Sequence, residues 1–488
     1  MSLSTLVPPI VSKEIRALFP VWVGCVAVVW IGGFVNRFVV PAGFLAFLLG
    51  SAALGALAFG HEYTNRTLGL LLASPVSRRR IFAAKAGVLA TMLLTLGMLA
   101  LTRLPMVPAG REMQDTTRVG LVSLIGSLFV APWLTMVCRN PIAGGLFGLS
   151  ISAALLIGSE LVTLIMTGQI DSPAARHFRM QVLVGGTALV CVAGGVGSWR
   201  TFMGLELIDG LRGELQWPRW LSGFVSKQAS ERSVSRHPIA NLIRKELRLQ
   251  HLTFAVSAFF VCGWSVTLLV QRLVSTGVDQ PLVILTVVHG MAVALLSGSL
   301  ASAEERNLGV LESQILMPPS MARQWAVKSA VVFGVCAVLA LLLPAALAIV
   351  SRGAGPMRVT VAFAAVVMLL AGLGLYVSSV SKSGVQALIA SGAALLSAFV
   401  LLQIIGVAVL SLGRKAGIAP AHDDLLVALG PWAAGAIALL LLALLVRFGL
   451  ANHRSSERAP SRLWRQILWM YGSIAVAMLV ALAIRAKS

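Results

Sequence analysis

The sequence predicts an all-α polytopic membrane protein made of two parallel six-helix repeats and one extra helix at the C-terminus. Three observations predict it. Apolar residues make up 58% of 488, charged residues 12%, and mean hydropathy is +0.89, whereas an ordinary soluble domain is about a quarter charged. The apolar residues gather into runs of about 20, the length that crosses a bilayer as a helix. A polar segment that breaks these runs early in the chain returns in recognisable form in the second half.

The runs give thirteen spans: 20–36, 39–60, 86–107, 118–138, 142–167, 182–200, 253–271, 281–303, 329–350, 357–379, 385–411, 427–447 and 464–484. Barrel strands would need only about ten residues with alternating faces, so helices are the way this backbone satisfies itself in lipid. MSLSTLVPPIVSKEIR, at the N-terminus, lacks the basic start and small-residue cleavage site of a signal peptide. With the N-terminus in the cytoplasm, about two thirds of the Lys and Arg fall on the cytoplasmic side. The net charge of +21 therefore reads as topology, and nucleic acid is not an expected partner. Cys25, Cys138, Cys191, Cys262 and Cys336 form no ligand pattern and read as packing.

HEYTNRTLGLLLASPVSRRRIFAAK (61–85) and EERNLGVLESQILMPPSMARQWAVK (304–328) align without a gap. The alignment pairs Glu62 with Glu305, Leu68 with Leu311, Pro75 with Pro318, Ser77 with Ser320, Arg80 with Arg323 and Lys85 with Lys328. The same offset lays span 86–107 on 329–350 and 142–167 on 385–411, and sets Arg139 against Lys382 and Glu160 against Gln403. Upstream, VSKEIRALF (11–19) resembles IRKELRLQH (243–251). Internal repeats of this kind often frame a transport path. The divisions are 1–200 for the first half, 201–240 for a cytoplasmic linker, 241–450 for the second half and 451–488 for a loop and the thirteenth span, which would leave the C-terminus outside.

Each half opens on an amphipathic segment suited to the membrane interface. In the first, Ile10, Val11, Ile15 and Leu18 share a face, and Lys13, Glu14 and Arg16 face water; Lys245, Glu246 and Arg248 are their counterparts. In the first polar segment, Glu62 leaves the second span, LLLA makes an apolar patch, and Pro75 breaks the helix. Ser77 caps a new helix through its hydroxyl, Arg78, Arg79 and Arg80 follow, and Lys85 re-enters the bilayer. The expectation is a short helix, a break and a second helix lying beneath the membrane, suited to docking a partner.

Glu62 to Leu68 reads E-x3-R-T-L, Glu305 to Glu312 reads ER-x2-GVLE, and each is followed by proline, serine and a lysine at the next span. This pattern resembles the ABC-2 family of ABC transporter permeases, over residues 10–450. The resemblance implies ABC-2 permease topology, an interfacial helix before each half and a cytoplasmic coupling helix between its second and third spans. It implies ATPase-coupling roles for Glu62, Thr67, Pro75, Ser77, Arg80 and Lys85, and for Glu305, Arg306, Gly309, Glu312, Pro318, Ser320, Arg323 and Lys328. Arg66 stands where the family has glycine, the halves are fused, and the thirteenth span has no counterpart in the repeat. The chain has no G-x4-GK[ST], so ATP and Mg are expected in separate ABC ATPase subunits, two per chain. The expected function is the permease subunit of an exporter in the bacterial cytoplasmic membrane, in contact with lipids and carrying a hydrophobic or amphiphilic substrate. An ion-gradient-driven secondary transporter is the alternative. No HExxH, acidic pair, Ser/His/Asp set or metal-ligand spacing marks an enzyme.

Glu160 carries two readings, a lining of the translocation path with Gln403 or a protonated carboxyl bonded to a neighbouring helix. His289 reads as a packed, satisfied side chain. The small-residue runs 50–60 and 295–303 read as packing between the halves. Trp217 and Trp220 in the linker read as a headgroup-level patch or part of a tether.

Overall fold

A computed structural model describes residues 9–32, 40–65, 67–103, 111–167, 172–205, 238–274, 279–307, 320–351, 361–395, 397, 411, 431–454 and 460–487. Gly309, Glu312, Pro318, Gln403 and most of the linker lie outside them. Among the described residues the regular structure is helical, and ten helices are long and apolar enough to cross a membrane. The protein is a polytopic membrane protein. Two compact units, Met1–Glu231 and Arg232–Ser488, divide the chain.

In the first unit α1 (Pro9–Gly32), α2 (Val40–Thr64), the one-turn α3 (Leu68–Leu72), α4 (Arg78–Arg103), α5 (Arg111–Cys138), α6 (Pro141–Thr167) and α7 (Pro173–Met203) follow in order. The interfacial segment expected at 10–18 is not separate: α1 runs unbroken through Pro20. Nor is there a second helix beneath the membrane, because α4 starts at Arg78 and continues straight into its span. Once Ser77 opens a helix, no residue up to Arg103 forces it to stop.

Small residues let these helices approach closely. A Cβ on Gly55 would collide with the Ser127 backbone of α5, one on Gly60 with Pro141 of α6, and one on Gly194 with Phe129 of α5. The run 50–60 thus serves packing inside the unit. Outward faces carry exposed aliphatics such as Leu101, Leu189 and Val192, which suits contact with acyl chains.

The second unit holds α8 (Pro238–Leu249), α9 (His251–Val274), α10 (Asp279–Asn307), α11 (Met321–Cys336), a π-helical turn at Ala337–Leu342, α12 (Leu343–Val350), α13 (Val361–Ser378), α14 (Gly384–Leu395), α15 (Pro431–His453) and α16 (Pro460–Lys487). Here the amphipathic segment is its own helix, α8, parted from α9 at Gln250. Pro344 brings no N–H to the ladder and its ring crowds the carbonyl four residues back; the π turn supplies the room. α10 and α13 touch at glycines: a Cβ on Gly374 would lie 3.1 Å from Gly298 Cα. The run 295–303, too, is used within its own unit.

The thirteenth predicted span is α16, and a buried amide pair fixes it to α15. Gln466 Nε2 donates to Asn452 Oδ1 (2.9 Å), and Asn452 Nδ2 donates to Gln466 Oε1 (3.2 Å). Tyr376 Oη of α13 donates to the same Oε1 at 3.0 Å. His289 is packed, stacked on Phe260 with centroids 4.0 Å apart and Nε2 3.0 Å from the Leu339 carbonyl in the π turn, but its Nδ1 is buried without a hydrogen-bond partner, so it is only half satisfied.

Candidate functional site

At one end of the first unit, three helices bring charge together. α1 supplies Lys13 and Glu14, α2 supplies His61 and Glu62, and α4 supplies Lys85. Lys85 Nζ donates to Glu14 Oε2 (2.9 Å), to Glu62 Oε1 (3.3 Å) and to the Ala58 carbonyl (3.1 Å). Lys13 Nζ closes on Glu62 Oε1 at 2.7 Å from the solvent side. His61 Nε2 lies 3.1 Å from Glu62 Oε1, and the Thr67 hydroxyl donates to Glu62 Oε2. Glu14, Glu62 and Lys85 are all buried.

The second unit repeats the arrangement with the residues that the sequence aligns. Lys328 Nζ of α11 lies 3.0 Å from Glu246 Oε1 of α8 and 2.6 Å from Glu305 Oε2 of α10, and donates to the Ala301 carbonyl at 2.8 Å. Lys245 Nζ reaches Glu305 Oε1 at 2.5 Å. Glu246, Glu305 and Lys328 are buried. In each unit the lysine that begins the third predicted span ties two carboxylates to a backbone carbonyl of the preceding long helix.

The electrostatics follow from the balance of burial against the charges around each acid. Burial opposes ionisation of Glu62, but His61, Lys85, Lys13 and Thr67 outweigh it and hold the carboxyl well below the usual carboxylate range. Glu305 is buried as deeply in charge, and Lys328 and Lys245 together lower it too. Glu246 goes the other way: burial and the Glu305 charge push it up, and Lys328 and Lys245 do not compensate.

The oxygens of Glu14 and Glu62 and a nitrogen of His61 converge within 4.8 Å, a set that would suit a cation. Lys85 Nζ already stands between the two carboxylates and supplies that positive charge.

Between Glu62 and Lys85 the chain turns sharply. α3 ends at Leu72, Pro75 is exposed, and Ser77 precedes α4 with its carbonyl accepting from Arg80 N (3.0 Å) and Ile81 N (3.2 Å). Arg78 donates to the Met203 carbonyl at 2.6 Å, closing the end of α7, while Arg79 and Arg80 are exposed. Leu70 projects outward, 76% exposed. In the second unit Ser320 does cap through its hydroxyl, accepting from Arg323 N at 3.4 Å; Arg323 is exposed and Arg306 half-buried. Three residues before each buried lysine an aromatic ring anchors the helix to the last long helix of its half. Phe82 packs on Trp199 and Phe202 of α7 (5.3 and 5.5 Å), and Trp325 on His453 of α15 (5.4 Å).

Several expectations need correction. Glu14 does not face water with Lys13 and Arg16, and Glu246 does not face it with Arg248; both acids are buried while Arg16 and Arg248 are exposed. Glu62, Lys85, Glu305 and Lys328 are buried and meet one another and their neighbouring helices. Sequence reasoning missed that the opening Lys-Glu pairs belong to the same site as the elbows. The signal was present: charges of both signs recur at matched positions next to apolar runs, where an unpaired charge is too costly to keep. Glu160 is neither hidden nor unpaired: Arg179 of α7 reaches its two oxygens at 2.7 and 2.8 Å, and the Glu160 side chain is 45% exposed.

No protein-family model, no curated protein and no solved structure matches this chain.

Proposed function

We propose that this chain is the membrane-spanning subunit of an ATP-driven exporter of a hydrophobic or amphiphilic substrate, powered by two separate ABC ATPase subunits. The observation that supports it is the duplicated ion cluster. Each elbow that resembles an ABC-2 coupling segment is bolted at its base, by a lysine and two buried acids, to the helices before and after it. A force applied at such an elbow reaches three helices at once instead of deforming a loop. The exposed residues Leu70, Arg79, Arg80 and Arg323 form the docking faces, and Glu62, Lys85, Glu305 and Lys328 transmit. ATP and Mg bind in the partner. Closure of the ATPases then shifts the population between inward- and outward-open states, by an amount set by their differential affinity for the two. In this reading the N-terminus and both elbows are cytoplasmic, and the membrane is the bacterial cytoplasmic membrane.

The test is purification of the full chain from its native membrane in mild detergent, followed by reconstitution. The expected result is co-purification of an ATPase whose hydrolysis is lost or uncoupled in R80E and R323E while thermal stability is unchanged. Flux that follows a proton gradient with ATP depleted and no ATPase bound would overturn it in favour of a secondary transporter.

A further inference from the structure

Helix α8 presents three faces in turn, each one residue and therefore about 100° further round than the last. Leu242 and Glu246 are buried, with Glu246 on Lys328 of α11. One step on, Ile243 and Leu247 are 39% and 40% exposed, and Ile239, a turn earlier on the same side, is 51% exposed. One step further, Arg244 and Arg248 are exposed. Glu246, the acid between them in sequence, has turned inward, and among the described residues no carboxylate pairs with either guanidinium.

Two like charges four residues apart on a helix repel each other, and an exposed aliphatic stripe is unfavourable in water. Both costs are relieved at a bilayer surface, with the aliphatic side among acyl chains and the arginines at the phosphates. The place in the chain fits. α8 ends at Leu249, the backbone turns at Gln250, whose N–H donates to the Leu247 carbonyl at 3.1 Å, and the membrane-crossing stretch His251–Leu269 begins at once. The first half lacks the pair: Arg16 aligns with Arg248, but Ser12 stands where the second half has Arg244.

We propose that Arg244 and Arg248 form a binding site for the phosphate of an anionic phospholipid, whose acyl chains lie against Ile239, Ile243 and Leu247. The two guanidinium groups can share one phosphate through charge-assisted hydrogen bonds. Charge selects the lipid, because a zwitterionic headgroup brings a cation of its own that the arginines repel. The lipid sits on the outer side of a helix whose inner side is tied by Lys245 to Glu305 and by Glu246 to Lys328, so it steadies one wall of the second ion cluster. The inference needs only the membrane location of the chain and no ATPase.

The test places the full chain in nanodiscs of phosphatidylcholine with increasing phosphatidylglycerol and follows hydrogen–deuterium exchange of residues 238–250. Exchange is expected to slow as phosphatidylglycerol rises. R244Q and R248Q are each expected to raise the phosphatidylglycerol content needed for half the effect roughly fivefold, the value of one cation near an anionic surface. The double variant is expected to abolish the effect, and R16Q, in the first half, to leave it unchanged. Both arginine side chains are exposed, so these variants are expected to fold. Exchange that does not respond to phosphatidylglycerol, or a response that survives in the double variant, overturns the proposal. So does protection by inorganic phosphate in discs of phosphatidylcholine alone, lost in the double variant, which would make the pair a site for a free anion. An acidic protein held by the wild type and lost in the double variant, with no lipid response, overturns it in favour of a protein partner.

Discussion

Lys328 Nζ stands 2.6 Å from Glu305 Oε2 with both side chains 2% exposed, and Lys85 makes the corresponding contact with Glu62 in the other unit. Buried pairs of this kind need not stabilise a fold relative to apolar residues, but losing one partner strands the other's charge. K85M and K328M are each expected to destabilise by about 3–5 kcal/mol, read as a lower midpoint of thermal unfolding in detergent. A double-mutant cycle on Lys328 and Glu305 should return a coupling of about 0.5–3 kcal/mol; additivity within error would refute the contact.

The pH dependence has a definite sign. Glu62 and Glu305 titrate below their ordinary value of 4.5 in the folded protein. Their contribution is complete above that pH and is lost as pH falls below it. Thermal stability should therefore decline on acidification from about 4.5, and E62Q and E305Q should start lower and decline less. Glu246 is shifted upward, so its contribution runs oppositely, and E246Q should gain on wild type as pH rises above 4.5. A wild-type profile flat through the acid range would contradict the cluster's electrostatics.

The amide pair between Asn452 and Gln466 predicts that α16 is part of the second unit. Q466L leaves the buried amide of Asn452 and the Tyr376 hydroxyl short of a partner, at a cost of about 1–3 kcal/mol. Limited proteolysis between residues 453 and 460 should quicken in this variant and not in a substitution at the exposed Trp469.

Close contact at Gly298 gives a steric test. A Cβ there would lie 2.5 Å from the Ala371 carbonyl oxygen and 2.7 Å from Leu375 N, backbone atoms that cannot swing aside. G298A should destabilise by more than about 1 kcal/mol, although alanine is the better helix former. G334A, where the added methyl meets nothing within 4 Å, should be neutral or stabilising.

How much of this was legible is best judged at Glu62 and Glu14. Apolar run lengths predicted the long helices, because lipid leaves the backbone few alternatives, and the gapless alignment of the two elbows picked out Glu62 with Glu305 and Lys85 with Lys328. It did not reveal that these residues are buried, since a charge beside an apolar run looks the same whether it meets water or a counter-ion. Glu14 was misread for the same reason: helical periodicity placed it among Lys13 and Arg16, and only the neighbouring α2 and α4 decide which of the three turns inward. The separation of α8 from α9, against the continuity of α1, has no plain sequence signal. Proline stands in the continuous helix at Pro20, while the break falls at Gln250, whose amide donates to the Ser297 carbonyl of α10.

The π turn at Ala337–Leu342 holds one residue more than a regular turn would need. Everything beyond it is therefore rotated by about 100° relative to an uninterrupted helix, and it is this phase that points Leu343 and Leu347 toward Phe260 and Trp264. Removing a single residue from the turn would keep the span apolar and of almost the same length, yet would aim both leucines elsewhere and leave the tryptophan's pocket half empty.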